Sequence, residues 1–373
     1  MSDSVVGSQL PVRPTEKPIC LIAADGKRTS PDLAAGFELP ASDILLSLYR
    51  RMVLGRRFDV QVTAVTRQGR LATYPSAVGQ EACEIGAVAA LGDDDWLFPT
   101  YRDTMAVMTR GVAPADALRQ FRGDWHMGFD PYEHRISVQA TPLATQALHA
   151  VGLATAAKLK GDNVVALTFL GDGSTSEGDA HEAFNFAAVW QAPVVFVIQN
   201  NQYAISVPIT KQSHARTLAD KAIGYGMPGY YVDGNDVAAM YTVISAAVVN
   251  AREGRGPALI EGLTYRVEAH TNSDDPTRYR DRDEEDAWAA LDPIARLERH
   301  LRGTGDLTEQ LSAEIANEAE TLAANVREAV NAETELDPLE IFDHVYVIPR
   351  ETLAEQRDYL ARELASAEQE SDR

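Results

Sequence analysis

Between Gly171 and Asn201 the chain reads GDGSTSEGDAHEAFNFAAVWQAPVVFVIQNN, with one carboxylate between two glycines at its start and two carboxamides at its end. A carboxylate and an amide oxygen form a hard-oxygen pair suited to Mg²⁺ or Ca²⁺, and Mg²⁺ usually completes its shell with water and substrate phosphates. Gly171 and Gly173 allow close backbone approach, and a helix beginning after them would offer free N–H groups to an anion. Together these residue types point to a metal diphosphate as ligand. Each half alone is ordinary, since Gly-Asp-Gly commonly punctuates a strand-to-helix junction and Asn-Asn a turn.

Convergence of the two halves depends on the elements that carry them. VVALTFL reads as a buried strand ending at Gly171, Ser174 or Ser176 is placed to cap a helix through EGDAHEAFNFAAVW, and Pro193 opens the next strand, PVVFVIQNN. A right-handed βαβ unit sets the carboxyl ends of its strands side by side on one sheet edge, which brings Asp172 to Asn201. Short β-branched runs, GPALIEGLTYRV among them, alternate with helical stretches from Asp162 to about Ala269. That alternation predicts an α/β fold, a parallel sheet with helices on both faces. Residues 1–40, rich in Pro, Gly and polar side chains, read as an extended N-terminal arm. Residues 41–285 read as the α/β domain and 286–373 as a helical C-terminal region packed on it. Ser42 is expected to cap a helix through DILLSLYRRMVLGRRFDVQVTAV, and LAEQRDYLARELASAEQE has the pattern of an amphipathic helix.

A formal charge of −21 and a pI near 4.8 oppose binding to nucleic acid or an anionic membrane surface. Any phosphate must therefore be held by a local site. Cys20 and Cys83 have no metal-ligand spacing and read as reduced thiols. The chain has no apolar run of membrane-spanning length and no signal or transit pattern, so a bacterial cytoplasm is expected. Two other phosphate motifs fail: the third glycine of G-x-G-x-x-G is Ser176, the second strand ends in Asn200-Asn201 instead of a ribose-binding acid, and G-K-[ST] is absent. A nucleotide-dependent oxidoreductase is opposed on those grounds.

Gly-Asp-Gly, 26 residues and Asn-Asn in this setting resemble the thiamine diphosphate fingerprint. SEGDAHEAFNFAA, NNQYAIS, YVDGNDV, LIEGLTYRVEAHTNSDDPTRYR and DPIARLERHL resemble the alpha subunit of the thiamine-dependent decarboxylating component of branched-chain 2-oxo acid dehydrogenase complexes. The resemblance runs from about Leu45 to the C-terminus. Pyruvate dehydrogenase alpha subunits, with acetoin dehydrogenase as a further alternative, are related, but the Asn-Gln-Gly and Tyr-Gly-Met-Gly forms of these segments are not found here.

The resemblance implies that Asp172, Asn201 and the Tyr203 carbonyl hold Mg²⁺, and that Gly173 and Ser174 touch the diphosphate through N–H groups beside Gly171. Tyr101, Arg102 and Arg266 join them, the arginines because a planar guanidinium binds phosphate bidentately. By the same resemblance Leu143 wedges between the rings of the bent cofactor, Thr141 and Ile205 complete its contacts, and Ala140, Pro142, Thr145 and Gln146 surround a structural K⁺. Without the family, Leu143 would read as core and each arginine as a solvated or salt-bridged surface group.

His270 is the catalytic candidate, because it follows an apolar run and opens a polar loop at the same sheet edge. An imidazole near its ordinary pKa of about 6.5 can exchange a proton or donate to a developing anion. The other seven histidines read as structural, with partial exceptions for His126 and His181. The following loop resembles one phosphorylated in animal homologues, but its acceptor positions here are Thr271 and Asp281. The implied reaction is decarboxylation of a small branched 2-oxo acid and reductive acyl transfer to a lipoyl group, with the hard chemistry carried by the cofactor. Thr73, Tyr74 and Leu143 are expected around the acyl chain. The missing half of the site implies a beta subunit in an α2β2 tetramer, and lipoylated dihydrolipoyl acyltransferase is the expected downstream partner. A non-catalytic subunit with a decayed site is opposed by the presence of each expected metal and phosphate residue.

Overall fold

The computed structural model describes residues 12–123, 127–332, 337–343 and 345–371. His126 lies outside the described residues. The strands are β1 Trp96–Phe98, β2 Ala166–Gly171, β3 Val194–Asn200, the two-residue pair β4 Tyr203–Ala204 and β5 Val207–Pro208, then β6 Gly229–Asp233 and β7 Ala258–Leu263. Five form one parallel sheet in the order β1-β2-β3-β7-β6, while β4 and β5 make a small antiparallel hairpin. Central β2 and β3 carry near-continuous apolar runs because both of their faces are covered.

Period-two alternation divides those runs between two cores. Leu167, Phe169, Val195 and Val197 join Leu48 and Met52 of helix Ser42–Arg67, Ile85 of helix Glu81–Ala89 and Ile244 of helix Val237–Arg252. Ala166, Leu170, Val194, Phe196 and Ile198 face Ala150 and Ala154 of helix Thr145–Lys160 and Phe184 of helix Gly178–Trp190. The expected α/β class, a parallel sheet with helices around it, is the observed one. No described helix is long and apolar enough to cross a membrane.

Several local expectations change. Ala41, not Ser42, occupies the N-cap, and Ser42 Oγ donates instead to Asp306 Oδ2 at 2.9 Å. Ser174 and Ser176 lie within a single 3₁₀ turn, Gly173–Ser176, and the following helix starts at Gly178 with Glu177 at its cap and no side-chain capping bond. Strands β1 and β6 have no counterpart in the runs read from the sequence, being three and five residues long. The N-terminal stretch is extended over much of its described length, yet Ile19–Ile22 is buried. Ile19 N–H donates to Tyr231 O at 2.8 Å and Ile19 O accepts from Asp233 N–H at 2.9 Å, which lays the segment along β6. After Asp281 the chain is helical over Arg282–Ala289, Pro293–Thr304, Glu309–Asn331 and Glu351–Ser371. Cys20 and Cys83 are both buried free thiols.

Candidate functional site

Register sets the geometry of the site. Gly171, the last residue of β2, pairs with Gln199 in β3, so Asp172 and Asn201 leave neighbouring strands at nearly the same level. They meet in a cleft of roughly 540 Å³, counting its open mouth. Gly171, Gly173 and Ser174 line its floor, and Tyr203 and Ile205 approach from the hairpin. Tyr101, Arg102 and Leu143 come from the loops after β1 and before helix Thr145–Lys160, and Arg266 and His270 from the segment after β7.

Thr141 does not line this cleft. It is exposed, as are Ala140 and Pro142, while Thr145 Oγ1 donates to Asp179 Oδ2 at 2.9 Å and Gln146 Nε2 to Phe169 O at 2.8 Å. Of the residues expected around an acyl chain, only Leu143 faces the cleft, 40% exposed. Tyr74 is core: its ring packs edge-on against Phe58 and Phe121, and its hydroxyl donates to Asp59. Thr73 is exposed and donates to Asn272 Oδ1. His181 bonds to the Tyr225 hydroxyl and contributes nothing to the cleft.

Close approach is required at Gly173, where an added Cβ would stand 2.6 Å from Ala204 Cβ. At Gly171 its nearest neighbour would be Ser174 Oγ at 3.8 Å, an ordinary contact, so the two glycines are not equivalent. Across from Gly173 the hairpin is strained, because Ile205, a β-branched residue, has φ 55° in the left-handed region. Its carbonyl accepts from Arg266 Nη2 at 2.7 Å, which holds that conformation in place.

Three acceptors converge beside Asp172. Asn201 Oδ1 lies 3.2 Å from Asp172 Oδ1 and 3.0 Å from Tyr203 O, with no proton between them. Either a cation among the three oxygens or a rotation of the amide, with Nδ2 then donating to both, satisfies this arrangement. Burial raises the Asp172 carboxyl to about 6, against the bonds donated by its own and other backbone N–H groups and Gln212 and the nearby Arg266 charge. A buried carboxylate with this cost is what a divalent ion would relieve.

On the other side stand two guanidinium groups and one imidazole. Arg102 is anchored to Ser76 O at 2.7 Å, and Arg266 to Tyr203 O at 3.3 Å. Arg266 Nε is buried with no hydrogen-bond partner among the described residues. Burial first, then repulsion from Arg102 and Arg280, lowers the Arg266 pKa to about 10, so it remains a cation at neutral pH. Arg102 Nη2 and Arg266 Nη1 lie 3.1 Å and 3.2 Å from His270 Nδ1. Guanidinium groups only donate, so Nδ1 is the acceptor and the single proton of a neutral ring sits on Nε2. Burial, with the two arginine charges behind it, pushes His270 down to about 4, although Asp274 pulls the other way. His270 is thus a neutral N–H donor at pH 7, which of the two expected roles favours hydrogen bonding to a developing anion over proton exchange.

This shift has a measurable sign. The unfolded chain takes up the His270 proton before the folded one, so the associated stability is present above about pH 6.5 and lost as the pH falls towards 4. Urea midpoints measured from pH 7.5 to 4.5 are expected to fall more steeply for wild type than for His270→Asn. Parallel curves would contradict the assignment.

Gln80, Gln199, Gln212, Thr100 and Ala204 are functional-site neighbours that motif reading does not reveal. Three are amides in ordinary helix-cap, strand or turn positions, and only tertiary packing brings them to Asp172 and Asn201.

Known proteins place the chain independently. The family model described as "Dehydrogenase E1 component" matches residues 49–339. A Mycobacterium tuberculosis protein named 3-methyl-2-oxobutanoate dehydrogenase subunit alpha is 44% identical over 349 residues, covering 94% of this chain and 95% of its own. Pyruvate dehydrogenase E1 component subunits alpha from Acholeplasma laidlawii and Staphylococcus epidermidis are 40% and 37% identical, covering 86% and 90% of this chain and 93% and 90% of theirs. With a matching model over most of its length and relatives aligned nearly end to end, this chain belongs to the dehydrogenase E1 component family.

Proposed function

We propose that the chain is the alpha subunit of a branched-chain 2-oxo acid dehydrogenase, an oxidoreductase that decarboxylates 3-methyl-2-oxobutanoate and related acids and passes the acyl group to a lipoyl domain. One observation carries the site assignment: a cluster of three acceptor oxygens, from Asp172, Asn201 and Tyr203, lies in the same cleft as the Arg102 and Arg266 guanidinium groups. Oxygens for a divalent cation next to cations for phosphate match the two ends of a magnesium diphosphate.

Thiamine diphosphate, the cofactor of the family, supplies when bound the nucleophilic carbon and electron sink that no side chain provides. The three oxygens would hold its Mg²⁺, and Arg102, Arg266 and the N–H groups of Gly173 and Ser174 its phosphates. Leu143 offers an apolar contact to its rings. The Nε2–H of His270 would donate to oxyanion charge as it develops on the reacting carbonyl. Thr145 and Gln146 donate their protons elsewhere, which leaves their oxygens available to a K⁺.

Leu143 and Ile205 stand 40% and 57% exposed at the cleft, and the apolar cover they lack fits a second subunit. The relatives carry the name alpha, which supports a beta partner in an α2β2 assembly and a lipoylated acyltransferase as acceptor. The cytoplasm is the proposed location, in keeping with two buried free thiols.

The substrate reading rests on the 44% match over 94% of the chain, against 40% and 37% for the pyruvate relatives. Burying two or three additional carbons at about 0.8 kcal/mol each favours a branched acid over pyruvate by roughly ten- to a hundredfold. Measuring kcat/KM for 3-methyl-2-oxobutanoate, 4-methyl-2-oxopentanoate and pyruvate on the assembled subunits tests this. Equal turnover of pyruvate would make the chain a pyruvate dehydrogenase subunit with the same cofactor chemistry.

A further inference from the structure

A line of buried amides runs from the cleft into the protein. Asn201 Nδ2 donates to Gln80 Oε1 at 2.7 Å, Gln80 Nε2 to Gln199 Oε1 at 3.0 Å, and Gln199 Nε2 to Asp103 Oδ1 at 2.5 Å. All four side chains are buried. Amide ends are chemically distinct but similar in shape, so the direction of such a line must come from groups that cannot reverse. Backbone N–H groups provide that at both ends. Thr100 N–H donates to Asp103 Oδ2 at 2.6 Å, and Tyr203 N–H donates to Asn201 Oδ1 at 3.3 Å.

An ionised Asp103 has no proton to give, so Gln199 must turn its NH₂ towards it. Gln199 then presents oxygen to Gln80, Gln80 presents oxygen to Asn201, and Asn201 must direct its own oxygen at Asp172 and Tyr203. Rotating Asn201 by itself would leave Oδ1 2.7 Å from Gln80 Oε1, two acceptors without a proton. The rotation that would satisfy Asn201 in isolation therefore conflicts with the rest of the line.

We infer that Asp103, Gln199 and Gln80 are positioning residues that set the polarity of the Asn201 amide, so that an oxygen and not an NH₂ faces the cation site. This rests on the reading of the cleft as a magnesium diphosphate site.

The isosteric change Asp103→Asn tests the direction of the line. Thr100 N–H must still find the Asn oxygen, so the new NH₂ faces Gln199 and drives the amides to reverse in turn until Asn201 Nδ2 points at Asp172 and Tyr203 O, opposed only by the long 3.3 Å bond from Tyr203 N–H. Adding Gln80→Glu to that variant supplies an acceptor at both contacts of position 80 and restores the Asn201 oxygen to the cleft. Mg²⁺ is titrated calorimetrically into the full chain assembled with its beta subunit, at a fixed excess of thiamine diphosphate. The titration is run at pH 8, above the value of about 6 to which burial raises Asp103.

Asp103→Asn is expected to weaken Mg²⁺ binding by roughly ten- to a hundredfold, the usual worth of an outer-shell partner, and the double variant to recover most of it. Melting without Mg²⁺ should be little changed. Affinity within about twofold of wild type for Asp103→Asn overturns the inference, as does weak binding that the double variant fails to restore. If Asp103→Asn does not fold, Gln80→Met removes the acceptor that holds the Asn201 NH₂ outward, and unchanged affinity there is equally decisive. A wild-type assembly that binds neither Mg²⁺ nor thiamine diphosphate would overturn the site reading and the inference together, whereas normal wild-type binding beside an unaffected variant removes the inference alone.

Discussion

Asp172→Ala is expected to abolish Mg²⁺-dependent thiamine diphosphate binding while leaving the fold intact. Asp172 is the one carboxylate at the three-oxygen cluster, and the remaining amide and carbonyl oxygens bear no formal charge. Two neutral oxygens are a weak set for an ion that dehydrates reluctantly. The same substitution removes a carboxylate whose charged form burial disfavours, so the melting temperature without metal should be unchanged or higher. Calorimetry and thermal melts on one preparation check both halves. Wild-type cofactor affinity in the variant would refute the metal assignment, and a collapsed fold would assign Asp172 a structural role.

His270→Ala is expected to keep cofactor affinity within about threefold and to lower kcat by roughly a hundred- to a thousandfold, the usual cost of losing one donor aimed at an oxyanion. The prediction follows from the two arginines on Nδ1, which fix the proton on Nε2 and hold the ring neutral. Since no imidazolium forms near neutrality, the wild-type rate should show no limb from His270 between pH 6 and 8. A variant within about threefold of wild-type kcat would return His270 to a structural role. A limb near pH 6.5 that disappears with His270 would show that the bound state restores its ordinary pKa.

The crossover β2 to β3 was legible because apolar runs of adequate length are bounded by Gly-Asp-Gly and Asn-Asn, and register does the rest. Strand β1 was not, since three residues, WLF, carry no periodicity, and GYYVD in β6 has only one β-branched residue. The serine caps differ for local reasons: the helix begins at Ser42 itself, which puts Ala41 at the cap, and a 3₁₀ turn displaces the second helix start beyond Ser176. Within the site, Asp172 and Asn201 are legible because strand ends are marked in the sequence, whereas Tyr203 is reached only through the family resemblance. Gln80 and Gln199 are not legible, as their roles depend on which amide end faces which neighbour. Tyr74 is packed against Phe58 and Phe121 with its hydroxyl on Asp59, a core position that the sequence does not distinguish from a pocket, because an aromatic residue beside a loop suits either.

Ile19–Ile22 bears on how the molecule is made. Leu21 N–H and Ile22 N–H donate to Asp236 Oδ2 at 2.6 Å and 2.8 Å, with the first pair separated by 215 residues in the chain. At a synthesis rate of about 5–20 residues per second, the segment waits roughly 10 to 40 s for its acceptor to be synthesised. Ile19 meanwhile has no β6 to pair with and Leu21 and Ile22 have no Asp236 to donate to, and β6, once made, has an open edge until the segment docks. The segment is thus made well before the strand and the acceptor that hold it, and the nascent chain carries these apolar residues uncovered over that interval, the kind of segment that chaperones recognise.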